Sequence, residues 1–310
     1  MKRMVVVLAL ACAAASTSAG FSTFDVPGAG NTYLNGVNDA GHMVGTVNYG
    51  SSDSFGLLLQ PDLSYVTFDV PGAGATTWAL DINNAGDIVG SFSANGRQSG
   101  FLRTANGDYV RIDYPGASST EARGINDRGD VIGVFRLPGA SDRGFFRDAT
   151  GALTPFDVPG GTSSAWGIND DGVIVGEANV LPDRAFYGTL LGGFTRFSVS
   201  GDPDTTAYGI NDLGDIVGYT AQMGEAGFLL RGSGDTLSYR CAGHTRFHDI
   251  SNDGLIVGEC WSGGPVHGLI GRFEPSSSSS APEPGTLALL GLSLTGLVAT
   301  RSRKSASARS

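Results

Sequence analysis

Short stretches of alternating polar and apolar residues run from residue 21 to residue 273, and sequences typical of tight turns separate them. Alternation with a period of two places successive side chains on opposite faces of a strand. No stretch of residues 21–275 keeps the longer period of a helix. The pattern therefore predicts an all-β fold built from many short strands.

One ten-residue sequence recurs six times, with Gly at its sixth and tenth positions in every copy. The copies are GVNDAGHMVG (36–45), DINNAGDIVG (81–90), GINDRGDVIG (124–133), GINDDGVIVG (167–176), GINDLGDIVG (209–218) and DISNDGLIVG (249–258). Their starts lie 45, 43, 43, 42 and 40 residues apart. Asn-Asp-x-Gly between two strands is typical of a turn whose Gly adopts a positive φ. The Arg128-Gly129-Asp130 tripeptide is accordingly interpreted as part of such a turn rather than as an adhesion motif.

Each repeat unit contains four strand-like pieces. They are an aromatic run ending in Pro-Gly, a Ser/Thr-containing run, the DIVG-type run of the ten-residue sequence and a GFL-type run. Four short strands in about 42 residues predict one blade of a β-propeller, and six copies predict a six-bladed propeller. The predicted units are 21–60, 61–105, 106–149, 150–190, 191–232 and 233–273. The divergent sixth unit fits a blade that closes the ring. A β-solenoid is the alternative, although its coils are normally shorter.

The Gly-Ile-Asn-x-x-Gly-x-x-Val-Gly core resembles that of the extracellular HAF repeat family. That family is named for a His-Ala-Phe element, which is degraded here: His267-Gly268-Leu269 keeps the histidine, and Arg184-Ala185-Phe186 keeps the other two residues. The resemblance spans most of residues 21–273. It implies a repeat architecture at the cell surface and no particular reaction.

The first twenty residues have the parts of a secretory signal peptide. Lys2 and Arg3 precede the apolar run 4–15, and Thr17-Ser18-Ala19 offers a cleavage site. We therefore expect an exported chain that begins near Gly20 or Phe21.

The other end carries a Ser-rich linker (274–281), then Pro282, Glu283 and Pro284, an apolar segment (285–300), and the cations Arg301, Arg303 and Lys304. This order resembles the PEP-CTERM sorting signal of Gram-negative bacteria, over residues 282–304. The resemblance implies an exosortase as partner, a membrane helix at 285–300 before processing, and a cytoplasmic tail at 305–310. Carriers of this signal tend to come from organisms that make exopolysaccharide.

The charge of the chain excludes one class of partner. Residues 21–284 contain 14 arginines and 30 acidic residues, which gives a formal charge of about −16. Such a field repels phosphate backbones, so nucleic-acid binding is not expected.

Cys241 and Cys260 are the cysteines outside the signal peptide, and an even pair in an exported chain predicts a disulfide. The alternative is a zinc site formed with His244 and His248. The turns lack the alternating carboxylates of a calcium loop, so neither a metal nor another cofactor is predicted.

The position before each Gly/Asp-Ile/Val step varies in chemistry while its neighbours repeat. It holds Asn35, Leu80, Arg123, Trp166, Tyr208 and His248. Packing between blades is one interpretation, suited to Leu80 and Trp166. The other is a ligand face or channel formed by Asn35, Arg123, Trp166, Tyr208 and His248.

Common catalytic motifs are missing from the sequence, including the nucleophile elbow, His-Glu-x-x-His and the phosphate-binding loop. The predicted function is therefore a binding or structural role at the cell surface or in the matrix, with polysaccharide as the expected partner. An extracellular carbohydrate-active enzyme that uses acidic residues of the channel is the alternative.

Overall fold

The computed structural model describes residues 20–273, except for residues 51, 52, 75, 160, 180, 181 and 223. Every helix or strand assigned in these residues is a β-strand, which confirms the all-β prediction. No helix of the described part is long and apolar enough to cross a membrane. The predicted signal peptide, the span 285–300 and the sorting-signal residues lie outside it.

The 24 strands group into six antiparallel four-stranded units, named units 1 to 6 in chain order. The first strands are β2 (Asn31–Val37), β6 (Thr76–Ile82), β10 (Ser119–Ile125), β14 (Ser163–Ile168), β18 (Thr206–Ile210) and β22 (His244–Ile250). The second strands are β3 (Met43–Asn48), β7 (Ile88–Ala94), β11 (Val131–Arg136), β15 (Ile174–Ala178), β19 (Ile216–Thr220) and β23 (Ile256–Trp261).

The third strands are β4 (Ser54–Leu59), β8 (Arg97–Arg103), β12 (Asp142–Arg147), β16 (Ala185–Thr189), β20 (Ala226–Leu230) and β24 (His267–Gly271). The fourth strands are β5 (Tyr65–Phe68), β9 (Tyr109–Ile112), β13 (Leu153–Phe156), β17 (Gly193–Phe197), β21 (Thr236–Tyr239) and β1 (Phe21–Phe24). Single parallel bridges, Ser54 to Thr76 and Gln98 to Ser119, additionally join units 1, 2 and 3 into a continuous sheet.

The N-terminal strand completes the last unit. Phe21 pairs with Gly271, and the ring of Phe21 stacks on Tyr239 and Phe247 at centroid distances of 4.4 and 5.1 Å. Each sheet is therefore offset by one strand from the sequence repeat. The offset joins the two ends of the described chain in one sheet.

Consecutive units pack face to face in a closed cycle. The first strands contact one another in order, from β2 through β6, β10, β14 and β18 to β22, and β22 contacts β2. Six apolar clusters fill the spaces between units, and each includes one fully buried residue from the second strand of the preceding unit. These residues are Val44, Val89, Ile132, Val175, Val217 and Val257. Burial of each such side chain stabilises the fold by roughly 1.5–3 kcal/mol.

The two invariant positions of the repeat require glycine for different physical reasons. Gly129, at the sixth position, has a φ of +77°, which strains a residue with a side chain. A Cβ on Gly133, at the tenth position, would lie 1.9 Å from the backbone oxygen of Glu121. The glycines thus fix the turn and allow close approach of the first two strands.

Candidate ligand-binding site

Each of the six first strands has a β-bulge at the same place. The register with the second strand shifts around one residue in every unit. The bulged residues are Asn35, Leu80, Arg123, Trp166, Tyr208 and His248, the same six that vary in chemistry along the sequence. A bulge inserts one extra residue into a strand, so the alternation of side chains holds up to that residue and shifts after it.

The bulged residues line one cavity of about 210 Å³, together with Arg246 and Glu259. We call it the bulge cavity. A neighbouring cavity of about 300 Å³ shares Asn35 and Leu80 with it and is also lined by Tyr33 and Trp78. The second volume lies at the lower end of the range of small-molecule sites, about 300–1,000 Å³, and the bulge cavity is somewhat smaller.

Arg246 and Glu259 are the lining residues that the variable position did not indicate. Arg246 precedes His248 by two residues on β22, so the alternation of the strand places both on one face. Glu259 lies on β23, where it pairs with Arg246 in the register. The sequence could have indicated Arg246, because it lies two residues before the variable position held by His248. Glu259 could be found only from the pairing of β22 with β23.

Arg123 lies between a carboxylate and an aromatic ring. Its Nε and Nη2 donate to Oε2 of Glu121 at 3.0 and 2.8 Å, and its Cζ lies 3.7 Å from the centroid of the Trp166 ring. Tyr208 meets Trp166 edge to face at 4.9 Å. The guanidinium is therefore held in one orientation by ion pairing and by cation–π attraction.

Arg246 is held in a similar way on the opposite side of the cycle. Its Nη2 donates to Oε1 of Glu225 at 2.8 Å and its Nη1 to Oε1 of Glu259 at 3.4 Å. Its Cζ lies 4.7 Å from the Tyr219 ring and 4.9 Å from the Trp261 ring. Both arginines of the bulge cavity thus combine a carboxylate partner with an aromatic face.

His248 is a neutral group in this environment. Its Nδ1 lies 3.1 Å from both the Leu34 oxygen and Oδ1 of Asn35, and its Nε2 lies 3.8 Å from Oε1 of Glu259. Burial lowers the pKa of His248 below its usual 6.5 despite the attraction of Glu259. Burial likewise raises the pKa of the Tyr208 hydroxyl. Neither ring carries a charge near neutral pH.

Three nitrogen donors of the lining residues lack a hydrogen-bond partner in the described part of the chain. They are Nη1 of Arg123, Nε1 of Trp166 and Nε of Arg246, and all three are buried. A buried donor without an acceptor costs about 1–3 kcal/mol. The lining residues thus leave donors in need of acceptors.

The six turns that connect each first strand to its second strand carry a ring of six side chains. We call it the turn ring; its members are Asp39, Asn84, Asp127, Asp170, Asp212 and Asn252. Each backbone N–H donates to Oδ1 of the member in the next unit, at 2.7–2.9 Å, and the bond from Asn252 to Asp39 closes the cycle.

A second set of bonds lies behind the turn ring. Buried asparagines donate Nδ2 to the corresponding backbone oxygen of the next unit at 3.1 Å. They are Asn38, Asn83, Asn126, Asn169 and Asn211. The last bond of this series runs from Asn211 to the backbone oxygen of Ser251. The turns therefore link neighbouring units through identical contacts.

Two carboxylates stand where the other units have glycine. Asp81 accepts from Ile82 and Ile125 at 2.7 and 2.8 Å, and Asp249 accepts from Val37 at 2.8 Å. Both line a small cavity of about 70 Å³ at the turn end. Burial raises the pKa of Asp249 from 3.8 to about 7, and burial and the charge of Asp249 raise the pKa of Asp81.

The four residues of the zinc alternative are not assembled for a metal. The Sγ atoms of Cys241 and Cys260 are 2.08 Å apart in a disulfide. His244 stacks on Trp261, and His248 lies in the bulge cavity. In the described residues, no group of three or more His, Cys, Asp or Glu side chains could hold a metal ion.

Comparison with known proteins identifies the C-terminal segment. Residues 280–304 match the PEP-CTERM protein-sorting motif. The motif implies exosortase-dependent export and membrane anchoring by the C-terminal tail. No curated protein matches the chain.

Solved structures resemble the fold at low sequence identity. A streptogramin B lyase has a TM-score of 0.52 and 14% identity, covering 83% of this chain and 100% of its own. The virginiamycin B lyase of Staphylococcus aureus has a TM-score of 0.50 and 14% identity, covering 81% and 98%. A gluconolactonase of Xanthomonas campestris has a TM-score of 0.51 and 13% identity, covering 81% and 89%. The resemblance supports a β-propeller-like fold and does not extend to activity.

Proposed function

We propose that this exported protein is a binding protein of the cell surface or extracellular matrix of a Gram-negative bacterium. Residues 21–273 form a six-bladed β-propeller of HAF-like repeats. Residues 274–281 are a Ser-rich stalk, and 285–300 span the membrane before an exosortase processes the sorting signal. The ligand binds in the bulge cavity, and exopolysaccharide is the expected ligand class.

The closed cycle of units supports the propeller. First strands, apolar clusters and turn-ring hydrogen bonds all pass from one unit to the next and return to the start. The pairing of β1 with β24 adds the closure between the two ends of the chain that propellers use.

The observation that carries the binding proposal is the convergence of six chemically different bulged residues on one cavity. Packing alone would favour similar apolar side chains at six equivalent positions. Here the cavity holds tryptophan, tyrosine and arginine, residues that dominate recognition surfaces. Carbohydrate rings pack on aromatic faces through their apolar C–H surfaces while polar groups orient them.

The state of the nearby carboxylates favours binding over hydrolysis. Glu121, Glu225 and Glu259 are each ion-paired with Arg123 or Arg246. A glycosidase needs two carboxyl groups placed on either side of the scissile bond, whereas these three are already bonded to arginine side chains. The lyase and lactonase activities belong to the named structural neighbours.

A glycan array with the full chain tests the proposal. We expect polysaccharide binding that Trp166→Ala and Tyr208→Ala each weaken about tenfold, because each removes an aromatic face. Tyr187→Ala is the matched control, since Tyr187 is 42% exposed on a third strand outside the cavity. Unchanged binding in both cavity variants would overturn the site. Release of reducing sugar during the assay would favour the enzyme alternative.

A further inference from the structure

We propose that the bulge cavity selects a sugar that carries a carboxylate, such as a uronate residue of an acidic polysaccharide. This inference rests on the proposed binding function and names the ligand class of the same site.

Three polar groups of the bulge-cavity lining have no hydrogen-bond partner in the described part of the chain. Within the described part of the chain, the buried unpartnered atoms of the cavity lining are Nη1 of Arg123, Nε1 of Trp166 and Nε of Arg246. All three are hydrogen-bond donors that never accept. A complementary ligand group therefore supplies acceptors.

A carboxylate and a hydroxyl differ in the hydrogen bonds that they need from the cavity. Each sugar hydroxyl brings one donor with its acceptors, and that donor needs an acceptor in the cavity. Oε1 of Glu259 accepts from Arg246 and Oδ1 of Asn35 lies against His248, and the unpartnered buried atoms of the described lining residues are all donors. An ionised carboxylate brings acceptors alone, and charged hydrogen bonds are about twice as strong as neutral ones. The lining therefore discriminates in favour of the acidic sugar.

The ligand carboxylate binds between units 3 and 4. Arg123 and Trp166 lie on neighbouring first strands, with the guanidinium 3.7 Å from the indole centroid. The stacked pair of Arg123 and Trp166 therefore carries two unpartnered donors, one on each side chain. The other two guanidinium nitrogens of Arg123 donate to Glu121 and fix its orientation. Such a pre-oriented guanidinium binds an oxyanion with little loss of side-chain entropy.

The overall negative charge of the chain does not prevent this recognition. Charges on the outer surface are screened over about 8 Å at physiological ionic strength. Inside the cavity, Arg123 and Arg246 supply the donors, His248 is neutral, and the lining carboxylate of Glu259 is ion-paired with Arg246. The distant carboxylates slow the approach of an anion more than they weaken its final contacts.

Glucuronate and glucose provide the matched probes, since they differ only in a carboxylate or a hydroxymethyl group at carbon six. Each is titrated into the full-length ¹⁵N-labelled chain in detergent while the indole N–H resonances of its three tryptophans are followed. We expect glucuronate to shift the Trp166 resonance and to bind at least about tenfold more tightly than glucose.

Two variants identify the donors. Trp166→Phe keeps an aromatic face for Arg123 but removes the N–H, and Arg123→Gln removes the charged donor. With the affinities of parent and variants measured by isothermal titration calorimetry, each should weaken glucuronate binding about tenfold while leaving glucose binding within twofold. Unchanged Trp78 and Trp261 resonances show that the variant is folded. Arg143→Gln, which breaks an exposed ion pair with Asp157, is the control and should change neither affinity.

The outcomes separate this inference from the binding function. Equal affinity for glucuronate and glucose, or glucuronate binding that both variants leave intact, overturns the acidic-sugar inference while polysaccharide binding stands. Acetate that binds as tightly as glucuronate overturns the sugar part, because the carboxylate alone then suffices. Failure of every glycan to bind the chain overturns the proposed function itself.

Discussion

The turn end and the bulge end of the six first strands lie only a few residues apart, yet they are built on opposite rules. At the turn end, nearly the same Asn/Asp side chains recur in every unit and hydrogen-bond one another in a closed cycle. At the bulge end, equivalent positions hold six different residues, and three donors around them lack a partner.

This difference separates closure from recognition. A repeated contact satisfies its own donors and acceptors, so the turn ring links the units and leaves little polar demand for a partner. The six bulged residues differ from unit to unit, so they cannot form one repeated hydrogen bond with each other. Their unpaired donors therefore remain for a ligand. Substitutions at the turn end should therefore change stability, and those at the bulge end should change binding.

The largest expected effect is at Gly133. In Gly133→Ala the new Cβ would overlap the Glu121 backbone oxygen at 1.9 Å, inside a strand ladder that cannot shift without breaking hydrogen bonds. We expect a loss of at least about 4 kcal/mol in the free energy of unfolding, measured by urea denaturation.

Gly264→Ala is the matched control, because nothing lies within 4 Å of its added Cβ. If Gly133→Ala were no less stable than this control, the close approach of the first two strands would not be needed for closure.

The next effect is the pH dependence introduced by Asp249. Its folded-state pKa of about 7 lies above the usual 3.8, so the folded protein binds the proton more tightly than the unfolded chain does. The stability from this group is present below pH 3.8 and is lost as pH rises toward 7 and above. Asp249→Asn removes the titration, and we expect its advantage over the parent to grow to the order of 3 kcal/mol at pH 8.

Urea denaturation of both proteins at pH 4, 6 and 8 measures that advantage. Asp62→Asn is a control of opposite sign, since hydrogen bonds from Ser64 lower the pKa of Asp62 and favour its charged form. A parent whose stability is flat between pH 4 and 8 would contradict the raised pKa of Asp249.

A smaller loss is expected from the buried amide of Asn126. Its Nδ2 donates to the Asn169 oxygen at 3.1 Å, and its Oδ1 accepts from Asp130 at 2.9 Å. Asn126→Ala leaves these groups without partners and should cost about 2 kcal/mol, with the ligand affinity unchanged. Gln98→Ala is the control, because Nε2 of Gln98 donates to Oγ of Ser91 within its own unit and not to a neighbouring unit. A large loss of glycan affinity in Asn126→Ala would break the separation between the two ends.

The repeat made part of this predictable from sequence. Recurring turns gave the strands and the four-strand period, and the one variable position pointed to the residues that share the bulge cavity. The closure by Phe21–Phe24 was not predictable, because pairing between residues more than 240 apart leaves no local pattern. The unpaired donors of Arg123 and Trp166 were equally hidden, since they depend on side-chain geometry between units.

The smallest effect is expected at Arg128, within Arg128-Gly129-Asp130. Its Nε lies 3.0 Å from Oδ2 of Asp130, and the arginine side chain is half-exposed. Exposed pairs of this kind contribute about 0.2–1 kcal/mol, so Arg128→Ala should change the unfolding free energy by roughly 0.5 kcal/mol or less.

Asp130 is buried and also faces Nδ2 of Asn126 at 3.3 Å, so it is not presented to another protein as an adhesion ligand would require. Adhesion of cells to the immobilised protein should therefore be the same for parent and Arg128→Ala. A loss of adhesion in the variant would assign recognition to the turn end and remove the contrast with the bulge cavity.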